Sequence, residues 1–534
     1  MGLRFTHETG AAAPVTPSTP TFNWTKQQQA IFDWFANGIG NLVVIARAGT
    51  GKTTTICEAV TRAPEQNIFV TSFGNRIVKE LDARVGQEPA VLVKSVHGVG
   101  LQAISRLWSK GKRITVDVRD RGRQLTDAVC PPKLTSSARY TIQSLMTYAR
   151  EHRPYMTTEQ EMLAMAKAYG IEHDSIDQAT MAHFAYKCFL HARQPSMLID
   201  YADMIYLPLV VPGMAQPRFD LIVGDEAQDF NRPQLDLMQM LLNPGGRFCV
   251  VGDDKQAIYA FRGADVGALA RIQSALKADT LTLTQTYRCG VEIVKHAQLL
   301  VPDIHVGPDA HKGEVREMNS TDLLRALAPG DWVLSRTNAP LAKIAMRLLR
   351  ENRRVIIQGR DIGKTLADVV NKLSKWGDIA DMFVFTDKLE AWTQAEIAKA
   401  RKDENDAREQ FVMDQYETLT VLAEGVNSPK ALIARIYSLF NEVDGDGNDV
   451  QFIVCSTVHK AKGLEADRVF ILSSTFFMRV TCTCGHRHRE DRPCGSCTCV
   501  EYNADPLAIQ EERNIKYVAI TRAKQQLTYV LGAL

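Results

Sequence analysis

The chain has 534 residues, too many for a single hydrophobic core, so three or four domains are expected. Its 45% hydrophobic and 23% charged residues are the composition of a globular protein. The formal net charge of +2 excludes a global basic field, so any nucleic-acid partner must be met by a local groove. No apolar run reaches the ~18 residues of a membrane span, and the N-terminus lacks the charged-then-apolar pattern of an export signal. No membrane partner is therefore expected, and the location is read as cytoplasmic (of a host cell, if phage-encoded). Cys57, Cys130, Cys188, Cys249, Cys289 and Cys455 are scattered singly, as in a reducing compartment, whereas the remaining five crowd into residues 482–499.

Residues 1–21, rich in Ala, Pro and Thr, read as a disordered leader. The apolar run Asn41-Leu42-Val43-Val44-Ile45 then breaks into Ala46-Arg47-Ala48-Gly49-Thr50-Gly51-Lys52-Thr53 and a helix-compatible segment. Strand, glycine loop and helix in that order make a phosphate-binding loop. Gly49 and Gly51 let the backbone N–H groups of Ala48 to Thr54 turn toward phosphate oxygens, and the helix adds its positive N-terminal end. Lys52 can reach the β- and γ-phosphates of ATP, and the Thr53 hydroxyl can hold Mg2+. Ala46 stands where the usual pattern has its first glycine. Further apolar, β-rich runs follow at 67–73, 219–224, 247–252, 331–336, 450–457, 467–473 and 526–532. Helical patterns between them argue for an α/β protein with parallel sheets in two groups, roughly 41–255 and 330–534. Residues 100–200 and 361–448 are mainly helical and look like insertions. The charged middle of the second, Lys399 to Glu409, is expected to be a solvated helix face.

After the buried-strand run Leu221-Ile222-Val223 comes Asp225-Glu226-Ala227-Gln228-Asp229. An acid at the end of a parallel strand lies in the crevice beside the phosphate loop. Asp225 is thus placed to hold Mg2+ with Thr53, and Glu226 to accept a proton from the attacking water.

With that segment in view, the chain resembles the UvrD/Rep/PcrA-type superfamily 1A DNA helicases over roughly residues 22–534. Phe22 to Gln27 resembles the Q motif, which implies that Gln27 reads adenine. Thr71 to Arg76 and Ser95 to Gly98 resemble the two motifs that contact single-stranded DNA, implying roles for Phe73, Asn75 and His97. Asp200 to Met204 resembles the short acidic motif that re-enters the first core. Gly252 to Ala264 is close to motif III, in which Gln256 senses the γ-phosphate while Tyr259, Phe261 and the adjoining Arg262 meet DNA. Base–aromatic stacking is worth ~1–3 kcal/mol per base and tolerates any sequence. Phe261 replaces the Trp common in the family, which weakens stacking without abolishing it. Thr286-Tyr287-Arg288 resembles motif IV, with Tyr287 stacking on adenine and Arg288 reaching the γ-phosphate. Thr457 to Glu465 matches motif V: Glu465 bonds the ribose, and Thr457 and His459 lie near DNA. Glu512 to Ala523 matches motif VI, with Arg522 as the arginine finger, a charge worth ~10³–10⁵ in rate in phosphoryl-transfer enzymes.

The resemblance implies two RecA-like motor cores in tandem, 22–99 with 200–283 and 284–360 with 449–534. Helical subdomains 100–199 and 361–448 are inserted in them. It implies an ATP hydrolase in which Lys52, Asp225, Glu226, Gln256, Arg288 and Arg522 act on ATP in the cleft, and a motor that moves 3′→5′ along single-stranded DNA and unwinds duplex at junctions. A non-unwinding translocase that strips or loads proteins is the alternative, since the 361–448 insertion is small; loading or repair proteins are then possible partners. A fused nuclease is disfavoured, because the sequence ends just after motif VI.

The last feature has no family counterpart. Between motifs V and VI, within 479–500, lie Cys482, Cys484, His486, His488, Cys494, Cys497 and Cys499. Close pairs of soft N/S ligands suit tetrahedral zinc. The expected set is Cys482, Cys484, Cys494 and Cys497, with His486, His488 or Cys499 as substitutes. The zinc either staples a loop too small to fold alone or carries a contact surface built on Arg479, Arg487, Arg489 and Arg492.

Overall fold

The computed structural model describes residues 23–532 except 174, 215–216, 259–266, 375–380, 403–405, 442–450, 478, 483–486, 490–501 and 504–505. At 402, 406–407, 479–482, 487–489 and 502–503 the backbone alone is described.

Two parallel sheets organise the chain. The first has six strands in the order Val91–Val93, Ile68–Ser72, Phe219–Asp225, Leu242–Gly252, Leu42–Ala46, Asp279–Leu283. The second has seven: Glu314–Asn319, Ala523–Leu531, Ala466–Leu472, Trp332–Ser335, Ile453–Thr457, Val355–Gln358, Phe440–Asn441. Each of the seven apolar runs contributes a strand. Inner strands read as continuous apolar runs because helices cover both faces; every residue of Ile68–Ser72 and Ile453–Thr457 is buried. On one face of the first sheet pack Ile31, Phe32 and Phe35; on the other pack Leu237, Met238 and Ile272.

The helical insertions are sewn into the cores rather than tethered to them. Helix Val96–Trp108 starts against the first sheet through Val96 and Val99 and ends in the insertion's own core through Ala103, Ile104 and Trp108. The returning helix Tyr201–Val210 does the same with Ile205 and Leu209 on the sheet side and Met204 and Leu207 on the other. The two helices cross so closely that a Cβ at Gly100 would lie 1.7 Å from the Met204 carbonyl oxygen. A buried ionic knot closes this neck. Arg150 donates to Asp200 at 2.7 Å and Asp203 at 2.6 Å, and Arg121 to Asp203 at 2.7 Å. The second insertion contains helices Arg360–Ser374, Met382–Lys402, Asp406–Ala423 and Pro429–Leu439. Phe440–Asn441 has already rejoined the sheet, earlier than the expected boundary near 448. The expected solvated face is only partly so: Glu409 is buried and pairs with Arg401 at 3.1 Å. Among the described residues no helix is long and apolar enough to cross a membrane.

Candidate nucleotide site

The loop after strand Leu42–Ala46 turns through two left-handed glycines, Gly49 (φ 72°) and Gly51 (φ 74°), into helix Lys52–Val60. The left-handed φ is what an L side chain resists and glycine permits. The loop and first helical turn border a cavity of about 890 Å3, within the range of small-molecule sites. Both sheets' loops wall this cavity. Gly49, Thr50, Gly51, Lys52, Thr53, Thr54, Glu226 and Gln256 come from the first core, and Tyr287, Arg288, Glu465 and Arg522 from the second.

Polar geometry inside is tightly specified. The Lys52 ammonium lies 3.0 Å from a Glu226 carboxylate oxygen. The Thr53 hydroxyl donates to Asp225 at 3.1 Å, and the Glu226 N–H to the other Asp225 oxygen at 2.8 Å. Glu226 itself holds a left-handed backbone (φ 54°), costly for a side chain of this kind, and receives the Gln228 amide at 2.5 Å. Two adjacent acids thereby acquire different characters. Burial and the Glu226 charge lift Asp225 to about 6; Glu226 is also opposed by burial, but Lys52 and Lys462 outweigh it and hold it at about 2. A cation beside Thr53 would reverse the Asp225 shift. The residues fit Mg2+, since a hydroxyl and a buried carboxylate converge next to the phosphate loop. Lys52 is raised overall: burial lowers it, and Glu226, Asp225 and Asp253 more than compensate.

Arg522 is the most telling group. It is 1% exposed, and its partners are neutral oxygens: the carbonyls of Val518 at 3.0 Å and Leu464 at 2.9 Å, the Gln256 side chain at 3.3 Å and the Thr521 hydroxyl at 3.3 Å. Burial and the neighbouring Arg288 charge push it down to about 9. Arg288 pairs with Glu465 at 2.5 Å, and Lys524 reaches the other Glu465 oxygen at 3.0 Å. A cavity lined by Lys52, Arg288 and Arg522 is therefore built for an anion.

Three expected nucleotide residues do not line it. Asp225 is fully buried behind Thr53, and Ala48 gives its N–H to the Tyr517 hydroxyl at 3.0 Å. The Gln27 amide donates to Thr284 at 3.1 Å and accepts the Thr284 N–H at 3.0 Å. Reading an adenine edge would require it to exchange these partners. Tyr287 is 55% exposed at the cavity mouth.

The expected DNA residues lie elsewhere, at the carboxyl ends of strands. Phe73 (40% exposed) and the exposed Asn75 follow Ile68–Ser72; His97 follows Val91–Val93 and meets Tyr201 edge-on at 6.3 Å. Thr457 ends Ile453–Thr457, and His459 lies in the next turn. Tyr259, Phe261 and Arg262 fall outside the described residues, as do Cys484, His486, Cys494, Cys497 and Cys499; Cys482 and His488 are described by backbone alone. Among the described residues no cluster of three or more His, Cys, Asp or Glu side chains is placed to hold a metal.

Sequence reasoning missed the contacts that join the cores. Lys462 donates to both Asp229 oxygens at 2.7 Å and to the Gln256 carbonyl at 2.8 Å. Asn514 donates to the Ala257 carbonyl at 3.0 Å, Arg76 to that of Gly463, and the Tyr287 N–H to that of Gly49 at 2.9 Å. Arg47 pairs with Asp303 of the second core at 2.7 Å and with Asp253 and Asp254 of its own at 3.0 and 2.5 Å. Except for Asp303, these residues stand inside already recognised motifs, but pairing across more than two hundred residues has no local signature.

Residues 24–277 match the family described as the UvrD/REP helicase N-terminal domain. The chain is 28% identical over 284 residues to the ATP-dependent DNA helicase Rep of Escherichia coli, covering 49% of this chain and 41% of that protein. It is 27% identical over 293 residues to the putative ATP-dependent DNA helicase YjcD of Bacillus subtilis, 49% of this chain and 36% of that one. With the ATP-dependent DNA helicase PcrA of Staphylococcus epidermidis the identity is 24%, over 49% and 38%. These matches thus span about two-fifths of the relatives' length.

Proposed function

We propose a function from one premise: the chain belongs to the UvrD/Rep/PcrA-type family of superfamily 1. The protein is an ATP-dependent translocase on single-stranded DNA and a DNA helicase, moving 3′→5′. The observation that carries this reading is Arg522, a buried guanidinium whose hydrogen-bond partners among the described residues are neutral oxygens, lining the cavity with the phosphate loop of the other core.

In this mechanism Lys52 exchanges Glu226 for phosphate oxygens when ATP enters, and the freed Glu226 carboxylate orients the attacking water and takes its proton. Thr53 and Asp225 would hold Mg2+, which would neutralise phosphate charge when bound. Gln256 links the γ-phosphate position to Arg522, so the second core is drawn in while that phosphate is attached and is released when it leaves. Tyr287 and Glu465 hold the base and ribose. DNA would run over Phe73, Asn75, His97, Thr457 and His459, with Tyr259, Phe261 and Arg262 stacking on or bracing its bases, and alternate grip would advance the motor. Zinc held by Cys482, Cys484, Cys494 and Cys497, or with His486, His488 or Cys499 in the set, would staple the 479–500 segment; metal analysis of purified protein finding none would remove it.

DNA-stimulated ATP hydrolysis should fall at least 100-fold in Lys52→Ala and in Arg522→Ala. Wild-type turnover in either would sink these roles. Strand displacement on 3′- and 5′-tailed duplexes separates the two activities: unwinding from the 3′ tail is expected, and hydrolysis with neither substrate unwound would leave the stripping or loading translocase.

A further inference from the structure

Arg47 stands inside the phosphate loop, at a position where phosphate binding asks for no particular side chain. Its side chain is buried but does not line the nucleotide cavity. Instead its donors divide between the two cores. Nη1 gives to Asp253 at 3.0 Å and to Asp254 at 2.5 Å, both in its own core. Nε and Nη2 turn to the two carboxylate oxygens of Asp303, at 2.9 and 2.7 Å. Asp303 belongs to the second core, where its neighbours Val301 and Ile304 are buried in the apolar cluster. A two-pronged pair of this kind fixes geometry as well as charge, and a lysine cannot reproduce it.

The link that matters to ATP is the next one. Asp253 is fully buried, and its carboxylate can only accept hydrogen bonds. One oxygen takes Arg47, and the other takes the Gln256 amide NH2 at 2.7 Å. Gln256 must therefore turn its carbonyl oxygen away from Asp253, and that oxygen receives Arg522 at 3.3 Å. A continuous chain results. It runs from Asp303 of the second core through Arg47, Asp253 and Gln256 of the first, and back to Arg522 of the second. Burial pushes the Asp253 carboxyl up, and the Lys52 and Arg47 charges oppose it. Lys52 turns to the phosphates when ATP enters, whereas Arg47 lies outside the cavity and stays. An Asp253 without its charge would donate a proton to the Gln256 carbonyl oxygen, and the amide would turn over.

We propose that Arg47 is a positioning residue for ATP hydrolysis. Through Asp253 it holds the Gln256 amide in one orientation, and through Asp303 it makes that orientation depend on the second core being in place. This rests on the reading of Gln256 as the γ-phosphate sensor. Closure of the cores then reaches the sensor by way of the phosphate loop as well as through Arg522.

The test uses the full chain, with kcat and KM of DNA-stimulated ATP hydrolysis measured separately. Asp303→Asn removes a charge at a half-exposed position and leaves Arg47 on Asp253. Arg47→Lys keeps the charge and removes the fork. Each should lower kcat about five- to tenfold, as expected for residues coupled in one hydrogen-bond network, while KM for ATP and the unfolding temperature stay near wild type. In a Gln256→Ala background neither substitution should lower kcat further, because the path runs through that amide. Unchanged kcat in both variants overturns the proposal, whatever their unfolding temperatures. So does an equal fold-loss with and without Gln256, which would make Arg47 only a brace between the cores. Gln256→Ala with wild-type turnover overturns the sensor reading beneath the proposal, and is told apart because it needs no change at Arg47 or Asp303.

Discussion

Gly49 shows how much one residue can be asked to do. Its φ of 72° turns the loop, and it also sits where the second core arrives: a Cβ there would lie 2.5 Å from the Arg288 Cβ and 2.6 Å from the Thr286 hydroxyl. Gly51, with nearly the same φ, has nothing within 4 Å of that position. The two glycines therefore fail differently. In Gly51→Ala only the local strain of a left-handed alanine is added, about 1–2 kcal/mol. In Gly49→Ala the methyl group also blocks the approach of Arg288. ATP hydrolysis should fall more than tenfold further in Gly49→Ala than in Gly51→Ala, with both unfolding near the wild-type temperature; equal falls would mean that the close approach is irrelevant to turnover.

Strands were legible by burial and length together. The apolar runs picked out in the sequence are strands with helices on both faces. Five strands of the two sheets were missed: Val91–Val93, Asp279–Leu283, Glu314–Asn319 and Phe440–Asn441 are the outermost ones, and the fifth, Val355–Gln358, is inner and fully buried but only four residues long. An edge strand is buried less, so its sequence keeps polar residues: Glu314–Asn319 has no fully buried residue. The knot of Arg150, Arg121, Asp200 and Asp203 was likewise invisible, because the two arginines lie on separate helices and meet the aspartates at the start of a third only when the insertion folds back onto its neck. Replacing one partner of a buried pair leaves its opposite charge stranded, at roughly 3–5 kcal/mol. Arg150→Met should lower the unfolding temperature by several degrees and expose the insertion first to limited proteolysis. A variant as stable as wild type would show that Arg121 alone satisfies both aspartates.

At the scale of the molecule the two cores meet in a closed arrangement. The contacts that hold it are ionic and hydrogen-bonded: Lys462 on Asp229, Asn514 on Ala257, Tyr517 on Ala48. Among the described residues, Ala48 and Ile258 join the second core's apolar cluster. Truncating one side of a buried charge pair at an interface costs roughly 2–5 kcal/mol. Lys462→Ala should thus shift the cores toward an open state by at least tenfold. A fluorophore pair across the cleft should read this as a longer mean distance without nucleotide, recovering as ATP is added. No change in distance would place closure on other contacts.

The sequence alone marked the segments from which each half of the cavity is built. A phosphate loop, a strand-end acid pair and an arginine after a helix are local patterns, because the groups they align are neighbours on one strand, turn or helix. It also determined that two parallel sheets exist, since a strand buried on both faces must be written as an apolar run. Only the tertiary structure decided what those halves face. The Lys52–Glu226 pair, the neutral surroundings of Arg522, the Lys462–Asp229 bridge and the occupied Gln27 amide all depend on chain segments that approach from far along the sequence. Composition and periodicity record how each element is buried. They do not record which distant element does the burying, and in this protein that choice makes the cavity.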